Sequence, residues 1–349
     1  MIGESDIRLY DRSDMYSVIR DFHDQISDAY EIGINLPVPD VAGIDKIIIT
    51  GMGGSAIGGD ILRSYCLYDL KLPLYVNRNY RLPAFADRNT LVIASSYSGN
   101  TEETLSAYED ARQRGCRIIA LSSGGKLSII SSNDNVQQIK IPAGYQPRCA
   151  LAYSFLPLLL LFGKCGFLCI NDKDITSLIS YISEKSAVFS DYKNPENNAV
   201  SLALHLRDRI PLIYSSCDFL DTVNLRWRSQ LQENSKTLAF GNLIPEMNHN
   251  EINGWENNKE ILRNFAVIIL RDKEDNPRIV QRIEAMNNII RPYVDVQIEI
   301  QSEGSSRLER LFDLVYLGDW VSYYLAILCK SDPTEIKNIN ILKNKLAEN

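Results

Sequence analysis

The sequence predicts an α/β protein with two doubly wound parallel sheets in tandem, and three observations support this fold class. Short apolar segments alternate with amphipathic segments of helical spacing, as in parallel sheets that are covered by helices on both faces. The chain has 349 residues, more than the roughly 250–300 at which single hydrophobic cores stop growing. The alternation also begins again after a long apolar segment (150–163). We therefore expect two domains of similar layout.

The first half of the chain is predicted to form helices and then a five-stranded sheet. Residues 1–42 carry apolar side chains near helical spacing, so we expect helices there. The clearest helix between strands is "TEETLSAYEDARQRG" (101–115). The predicted strands are "KIIIT" (46–50), "LPLYV" (72–76), "TLVIA" (90–94), "CRIIAL" (116–121) and "VQQIKI" (136–141).

The second half repeats this pattern after an apolar helix. The segment "ALAYSFLPLLLLFG" (150–163) is interrupted by Pro157 and followed by Lys164. It is shorter than the about 20 apolar residues of a membrane span, so we predict a buried helix. Further helices are predicted at 174–189, 198–209, 218–234, 278–290 and 307–328, and strands at "IPLIYS" (210–215), "KTLAF" (236–240), "FAVIIL" (265–270) and "DVQIEI" (295–300). We expect an N-terminal domain at 1–155, a helical linker at 156–195 and a C-terminal domain at 196–349.

Composition argues against several classes of partner. The formal net charge is -7, so we expect no nucleic-acid partner, because nucleic-acid-binding proteins need a basic face. The N-terminus, "MIGESDIRLYDRSD", lacks the basic and apolar regions of a signal peptide. The seven cysteines are odd in number and scattered along the chain, which favours free thiols in a reducing compartment. We therefore expect a cytoplasmic protein with no membrane partner.

Two turns rich in glycine and hydroxyl groups follow strand-like segments. The turn "GMGGSAIGGD" (51–60) follows the first predicted strand, and "SSYSGNTEET" (95–104) follows the third. If the strand order is the common 2-1-3-4-5, these two strands are neighbours, and such sheets bind ligands beyond the carboxyl ends of these strands. Glycines allow close approach of the backbone, and helix N-termini attract anions. The candidate phosphate-binding residues are Gly53, Gly54, Ser55, Ser96, Ser98 and Thr101.

Other interpretations of these turns are weaker. The G-x-G-x-x-G spacing of a dinucleotide site and the G-K-[ST] of a nucleotide-binding loop are both missing from the first turn. One such turn alone would indicate an ordinary strand–helix connection. In the second turn, Asn100 or Thr101 is expected to cap the helix, with Glu103 or Thr104 completing the cap. Two such turns on neighbouring strands favour an anion site.

Both turns resemble those of the sugar isomerase (SIS) domain, and longer motifs extend the likeness from about residue 45 to the end of the chain. These motifs are "YQPRCALAY" (145–153), "RWRSQLQENSKTLAF" (226–240), "PEMNHNEINGWE" (245–256) and "YLGDWVSYYLAILCKSDPTEIKNINILK" (316–343). With them, the chain resembles the bifunctional phosphoglucose/phosphomannose isomerase family.

This resemblance implies two flavodoxin-like SIS domains in tandem and a homodimer. It also implies interconversion of fructose 6-phosphate with glucose 6-phosphate and mannose 6-phosphate through a cis-enediol(ate), without a cofactor. By the same resemblance, the residues of the two turns contact the sugar phosphate. Glu233 matches the catalytic base, His249 the ring-opening residue, Arg148 an active-site cation and Lys343 a C-terminal lysine of the site.

Three of these matched residues suit the chemistry, and each also has a plainer interpretation. A partly desolvated carboxylate can take a proton from one carbon and return it to the next, but Glu233 could also be a solvated residue at a helix end. His249 lies in a polar loop that can fix its tautomer, and a structural histidine is the alternative. Arg148 could stabilise an enediolate or form a salt bridge at a domain junction.

Further alternatives remain open for the identity of the C-terminal lysine, for the need for a cofactor and for the activity of the protein. Lys343 competes with Lys337 and Lys345 for the same match, and surface solvation is the usual role of such residues. The three histidines show no paired ligand spacing, which disfavours a zinc-dependent isomerase, and we expect no cofactor. The alternatives to a hexose-phosphate isomerase are a non-catalytic sugar-phosphate-binding protein and an isomerase of another phosphorylated sugar.

Overall fold

The computed structural model describes residues 2–348, and tertiary contacts divide the chain into two compact units. The N-terminal unit is Asp21–Ser183, and the C-terminal unit joins the residues up to Arg20 to those from Glu184 onward. These bounds differ from the expected domain boundaries at 155 and 196. The reason is that the apolar helix after residue 150 packs inside the N-terminal unit, whereas the first helices of the chain pack inside the C-terminal unit.

The helices alternate with strands through most of the described chain. In order, the α-helices are α1 (Glu4–Tyr10), α2 (Met15–Arg20), α3 (Phe22–Ile34), α4 (Gly53–Cys66), α5 (Glu102–Gln113), α6 (Gly125–Asn133), α7 (Leu151–Lys164), α8 (Asp172–Phe189), α9 (Asn198–Leu206), α10 (Asp221–Asn234), α11 (Lys259–Leu262), α12 (Pro277–Ile290), α13 (Arg307–Leu328) and α14 (Lys337–Ala347). Short 3-10 helices lie at Pro147–Cys149, Glu246–His249, Glu251–Glu256 and Arg291–Tyr293.

The N-terminal unit is built on a five-stranded sheet in which all pairs are parallel. Its strands are β1 (Lys46–Thr50), β2 (Leu74–Asn77), β3 (Thr90–Ser95), β4 (Arg117–Ser122) and β5 (Gln137–Lys140). The strand order is β2-β1-β3-β4-β5, as assumed from the sequence. The five predicted strands are all present, with ends close to the predicted ones. β1 and β3 are neighbours, so the two glycine- and hydroxyl-rich turns follow adjacent strands.

α7 is the predicted apolar helix, and it is buried as expected. Every residue from Leu151 to Phe162 is buried, and the helix packs against α3 and α4 of the same unit. Because these contacts cover its apolar surface, α7 forms part of the core of the N-terminal unit.

The C-terminal unit contains a second parallel sheet with the strand order β7-β6-β8-β9. Its strands are β6 (Ile210–Ser216), β7 (Phe240–Ile244), β8 (Phe265–Arg271) and β9 (Val296–Gln301). Two parallel sheets with helices between their strands confirm the predicted fold class. β6 lies between β7 and β8 in the same way that β1 lies between β2 and β3 in the N-terminal unit.

The predicted strand "KTLAF" (236–240) is wrong. Lys236 has a φ of 57° just after α10, and its Nζ donates hydrogen bonds to the carbonyl oxygens of Glu233 and Asn234 at 3.0 Å. The real strand, β7, begins only at Phe240. The sequence pattern missed β7 because this strand contains a glycine and an asparagine, two residues that are rare in strands.

α13 forms the core of the C-terminal unit. All of its residues from Leu308 onward are buried, and Trp320 packs against a cluster of aromatic rings with centroids 5.4 to 6.2 Å away. One of these rings is Tyr16 in α2, which explains why the first helices belong to this unit. Among residues 2–348, α13 is the one helix long and apolar enough to cross a membrane, but its apolar window is wholly buried in the protein.

Candidate active site

The turns after β1 and β3 contact each other directly at the carboxyl edge of the N-terminal sheet. The backbone N–H of Tyr97 donates a hydrogen bond to Ser55 Oγ at 2.9 Å. The Ser95 hydroxyl donates to the Ser55 carbonyl oxygen at 3.2 Å. Ser55 is buried in the first turn of α4, so these bonds hold the start of that helix against the second turn. The adjacency predicted from the strand order is confirmed.

The first turn also lies against the segment that carries Arg148. Gly53 has a φ of 49°, a conformation that favours glycine. A Cβ added to Gly54 would lie 2.4 Å from the carbonyl oxygen of Pro147 and 2.8 Å from the backbone N of Arg148. Only glycine allows this approach, which brings the buried Arg148 beside the start of α4.

Gly54→Ala is therefore expected to lower the free energy of unfolding by about 1–3 kcal/mol, because overpacking forces the backbone apart. Urea unfolding measures the change. The matched control is Gly254→Ala, since no heavy atom lies within 4 Å of a Cβ at that position. Equal stability of the Gly54→Ala variant and the wild type would contradict the close approach of Gly54 to Pro147.

The second turn is organised by its own hydroxyl groups. The Ser96 hydroxyl, which is buried, donates a hydrogen bond to Thr101 Oγ1 at 2.9 Å. Ser98 is exposed, and its Oγ accepts a hydrogen bond from the backbone N–H of Asn100 at 3.3 Å. Thr101 occupies the N-cap position of α5, but its side chain makes no capping hydrogen bond. The predicted cap is therefore wrong, because the Thr101 hydroxyl interacts with Ser96 instead.

The other predicted cap residue, Asn100, also has a different partner. Its Oδ1 accepts a hydrogen bond from the backbone N–H of Lys126 at 3.1 Å. This contact belongs to a third turn, after β4, that the sequence analysis did not identify. A Cβ on Gly99 would lie 1.8 Å from the carbonyl oxygen of Gly124, and one on Gly125 would lie 2.3 Å from that of Ser98. The glycine pair in "SSGGK" (122–126) is the signal that could have revealed this support.

Glu233 lies in the last turn of α10 in the C-terminal unit, as predicted, and is half-buried. The helix that carries it is fixed to α13 by buried polar contacts. Arg226 Nη2 lies 2.7 Å from Asp319 Oδ2, and Gln230 Nε2 donates to Asp319 Oδ1 at 2.8 Å. Burial raises the pKa of Asp319, although Arg226 and Gln230 oppose that shift. Asn234, directly after Glu233, donates to Ser322 Oγ at 2.9 Å.

His249 ends a 3-10 helix and is exposed. Within the described part of the chain, no hydrogen bond fixes its imidazole ring, so the expected tautomer-fixing contacts are not present. The loop around it is nevertheless anchored. Trp255 is buried in the core beneath the loop, and Glu251 accepts hydrogen bonds from the Tyr214 hydroxyl and, at 2.7 Å, from Asn242 Nδ2. Burial and Glu251 together raise the pKa of Tyr214.

Lys343 lies in α14 and is exposed, as are its two competitors, Lys337 and Lys345. The structure therefore gives all three lysines the same solvent-exposed setting. Of the predicted site residues, it brings together those of the two turns and Arg148 within the N-terminal unit. Glu233, His249 and Lys343 belong to the C-terminal unit. In residues 2–348, no group of three or more His, Cys, Asp or Glu side chains is placed to hold a metal ion.

Comparisons with known proteins match both halves of the chain. A family model described as a SIS domain matches residues 41–163. A second model, described as a bacterial phospho-glucose isomerase C-terminal SIS domain, matches residues 195–346. A solved glucose-6-phosphate isomerase like protein from Thermus thermophilus superimposes with a TM-score of 0.65 at 19% identity, covering 96% of this chain and 97% of that one. This likeness shows a shared fold.

Curated relatives extend the match to nearly the full chain. The bifunctional phosphoglucose/phosphomannose isomerase of Caldicellulosiruptor bescii is 47% identical over 336 residues, which cover 96% of this chain and 99% of that protein. The enzyme of the same name from Aquifex aeolicus is 34% identical over 303 residues, 86% of this chain and 90% of that protein. The chain therefore belongs to the bifunctional phosphoglucose/phosphomannose isomerase family.

Proposed function

We propose that this protein interconverts fructose 6-phosphate with glucose 6-phosphate and mannose 6-phosphate by proton transfer through a cis-enediol(ate). The observation that carries the proposal is the contact between the two turns, in which Ser55 Oγ accepts a hydrogen bond from the backbone N–H of Tyr97. The first turn also lies against the backbone of Pro147 and Arg148. Hydroxyl groups, a helix start and the backbone of a buried arginine are thereby gathered at the ligand-binding edge of a parallel sheet. Family membership supports the same activity.

We assign the phosphate of the substrate to the turns of the N-terminal unit. The start of α5 has no side-chain cap, so its backbone N–H groups and dipole can favour an anion. The hydroxyl groups of Ser55, Ser98 and Thr101 are neutral hydrogen-bond donors for the phosphate oxygens, and that of Ser96 joins them when its proton turns from Thr101 Oγ1 to the phosphate. Gly53 and Gly54 keep the backbone at the turn free of side chains.

Thr101→Val is expected to raise KM for fructose 6-phosphate by about 10- to 100-fold with little change in kcat, because one hydrogen bond to a charged group is lost without a change in shape. Steady-state kinetics measure the two constants. The control is Thr176→Val, which changes an exposed threonine in α8. An unchanged KM would remove Thr101 from the phosphate site.

We assign the proton transfer to residues of the C-terminal unit. Glu233 is proposed as the base that carries the proton between C1 and C2 of the open-chain sugar, since a carboxylate can act in both directions. His249 is proposed to open the sugar ring as an acid and base. The Arg148 guanidinium is proposed to stabilise negative charge on the enediolate oxygens, and Lys343 is proposed as a further cation of the site.

A coupled assay for glucose 6-phosphate formed from fructose 6-phosphate tests this function, and a parallel assay detects mannose 6-phosphate. Binding of fructose 6-phosphate without turnover would favour the sugar-phosphate-binding alternative. Faster turnover of a phosphopentose or phosphoheptose would favour an isomerase of another sugar. Both alternatives would use the same two turns, so the rates decide between them.

We also propose that the protein acts as a homodimer in the cytoplasm, as its resemblance to the family implies. An isologous dimer would place the same surface of both copies at the interface. Light scattering coupled to gel filtration measures the mass of the particle in solution. A mass of one 39.5 kDa chain at micromolar concentration would contradict the dimer.

A further inference from the structure

The C-terminal unit contains a counterpart of the crevice to which we assign the phosphate. β6 and β8 are adjacent strands, as β1 and β3 are in the N-terminal unit. The segments that follow β6 and β8 therefore meet at the carboxyl edge of the second sheet, where such sheets bind ligands. Here the contact between them is made by a carboxylate. Ser216, at the end of β6, donates its hydroxyl hydrogen bond to Asp275 Oδ1 at 2.7 Å.

Three donors from the ends of the two strands surround the Asp275 carboxylate. Besides the Ser216 hydroxyl, the backbone N–H of Asp272 donates to Asp275 Oδ2 at 3.0 Å. Arg271 Nε lies 3.6 Å from the same oxygen, and this buried Nε has no hydrogen-bond partner within the described residues. The Asp275 side chain is only 4% exposed. A hydroxyl, an amide and a guanidinium, which also pairs with Glu299 at 2.6 Å, thus converge on one buried carboxylate.

Two further side chains of this edge, Asp272 and Asn276, have hydrogen-bond partners within the chain. Asp272 Oδ1 accepts from the backbone N–H of Glu274 at 2.9 Å, and Asp272 Oδ2 lies 2.9 Å from Arg310 Nε. The Asn276 side chain caps α12 by accepting from the backbone N–H of Arg278 at 2.9 Å. The start of α5 in the N-terminal unit has no such side-chain cap. Internal side chains therefore cap α12 and occupy the segment after β8, whereas α10, after β6, begins without a side-chain cap.

We propose that the Asp275 carboxylate is a built-in anion that fills the second crevice and excludes phosphate from it. The comparison with the N-terminal unit rests on the proposed function. The physical reason is that Ser216, Asp272 and Arg271 present the donors that an anion requires, while a tethered negative charge repels a phosphate dianion. Although the chain contains two sheets of similar winding, only the N-terminal unit then accepts the phosphate of a substrate.

Chemical rescue of an Asp275→Ala variant by formate tests this proposal. Removing the carboxylate leaves buried donors without an acceptor, so the melting temperature is expected to fall by about 5 °C or more. Formate has the size and charge of the missing group. At equal ionic strength, it is expected to restore about half of the loss in a saturable manner, while chloride restores less. The experiment uses the full chain without any sugar phosphate.

Two control variants separate anion loss from other effects. Asp295→Ala removes an exposed carboxylate that pairs with Arg263, and formate and chloride are expected to act on it equally. Asp275→Asn keeps the volume of the side chain, so its amide is expected to block the crevice and prevent rescue by formate. The rescue requires no binding by Ser55 or Thr101, so a failure of the proposed isomerase function would leave this result unaffected.

Several results would overturn the proposal that Asp275 is a built-in anion. The Asp275→Ala variant could melt at the temperature of the wild type, or formate could stabilise it no more than chloride does. If that variant does not fold, crystals of the wild-type protein soaked in inorganic phosphate provide the second test. No phosphate is expected beside Ser216. A phosphate bound between Ser216 and Arg271, with Asp275 displaced, would contradict the proposal.

Discussion

Replacement of Glu233 by glutamine is expected to lower kcat for fructose 6-phosphate isomerisation by about 10³-fold, because a neutral amide cannot accept the proton that moves between C1 and C2. The affinity for sugar phosphate is expected to change little, since we assign the phosphate to the turns of the N-terminal unit. Steady-state kinetics give kcat, and calorimetric titration with a non-reactive sugar phosphate gives Kd. The combination of lost turnover and retained binding identifies a base.

A matched control and an isotope measurement make this test specific. Glu260→Gln changes an exposed glutamate in α11 and is expected to leave kcat unchanged. When the wild-type enzyme works in D₂O, the product is expected to carry deuterium at C2 in part of the molecules. The reason is that the proton held by a single carboxylate can exchange with solvent before it is returned to C2. A Glu233→Gln variant with near-normal kcat would exclude Glu233 as the base, whatever the binding result.

Asp319→Ala is expected to produce the largest loss of stability, about 3–5 kcal/mol in the free energy of unfolding. Asp319 is buried and accepts hydrogen bonds from Arg226 and Gln230. Its removal leaves the Arg226 guanidinium as a buried charge without its carboxylate, which is far more costly than losing an exposed pair. Urea unfolding measures the change. Because α10 carries Glu233, loss of activity is expected to accompany the loss of stability.

Two further variants separate this buried pair from a general effect of removing an aspartate. Asp295→Ala breaks an exposed pair with Arg263 and is expected to cost less than about 1 kcal/mol. The double variant Arg226→Met/Asp319→Leu leaves no uncompensated charge of this pair, and it is expected to be more stable than Asp319→Ala alone. If Asp319→Ala were as stable as the wild type, the buried ion pair would contribute nothing to the anchoring of α10.

The sequence was sufficient for most strands and for the neighbouring turns. Strands such as "KIIIT" and "FAVIIL" are short apolar segments between helical patterns, so local periodicity reveals them. The adjacency of the two turns followed from a common strand order. The prediction for β7 was misplaced because glycine and asparagine, both rare in strands, interrupt its apolar pattern. The predicted side-chain cap of α5 was wrong because the Thr101 hydroxyl accepts a hydrogen bond from Ser96 instead.

The sequence by itself determined the α/β class and the positions of most strands, because these depend on short-range patterns, and it indicated the two turns as candidates for a phosphate site. Only the tertiary structure decided that the first helices pack on α13, that Arg226 meets Asp319, and that Ser216 meets Asp275. Each of these contacts joins residues from different elements, often far apart along the chain. A charged side chain in a sequence looks the same whether water or a buried partner will surround it, and only folding distinguishes the two.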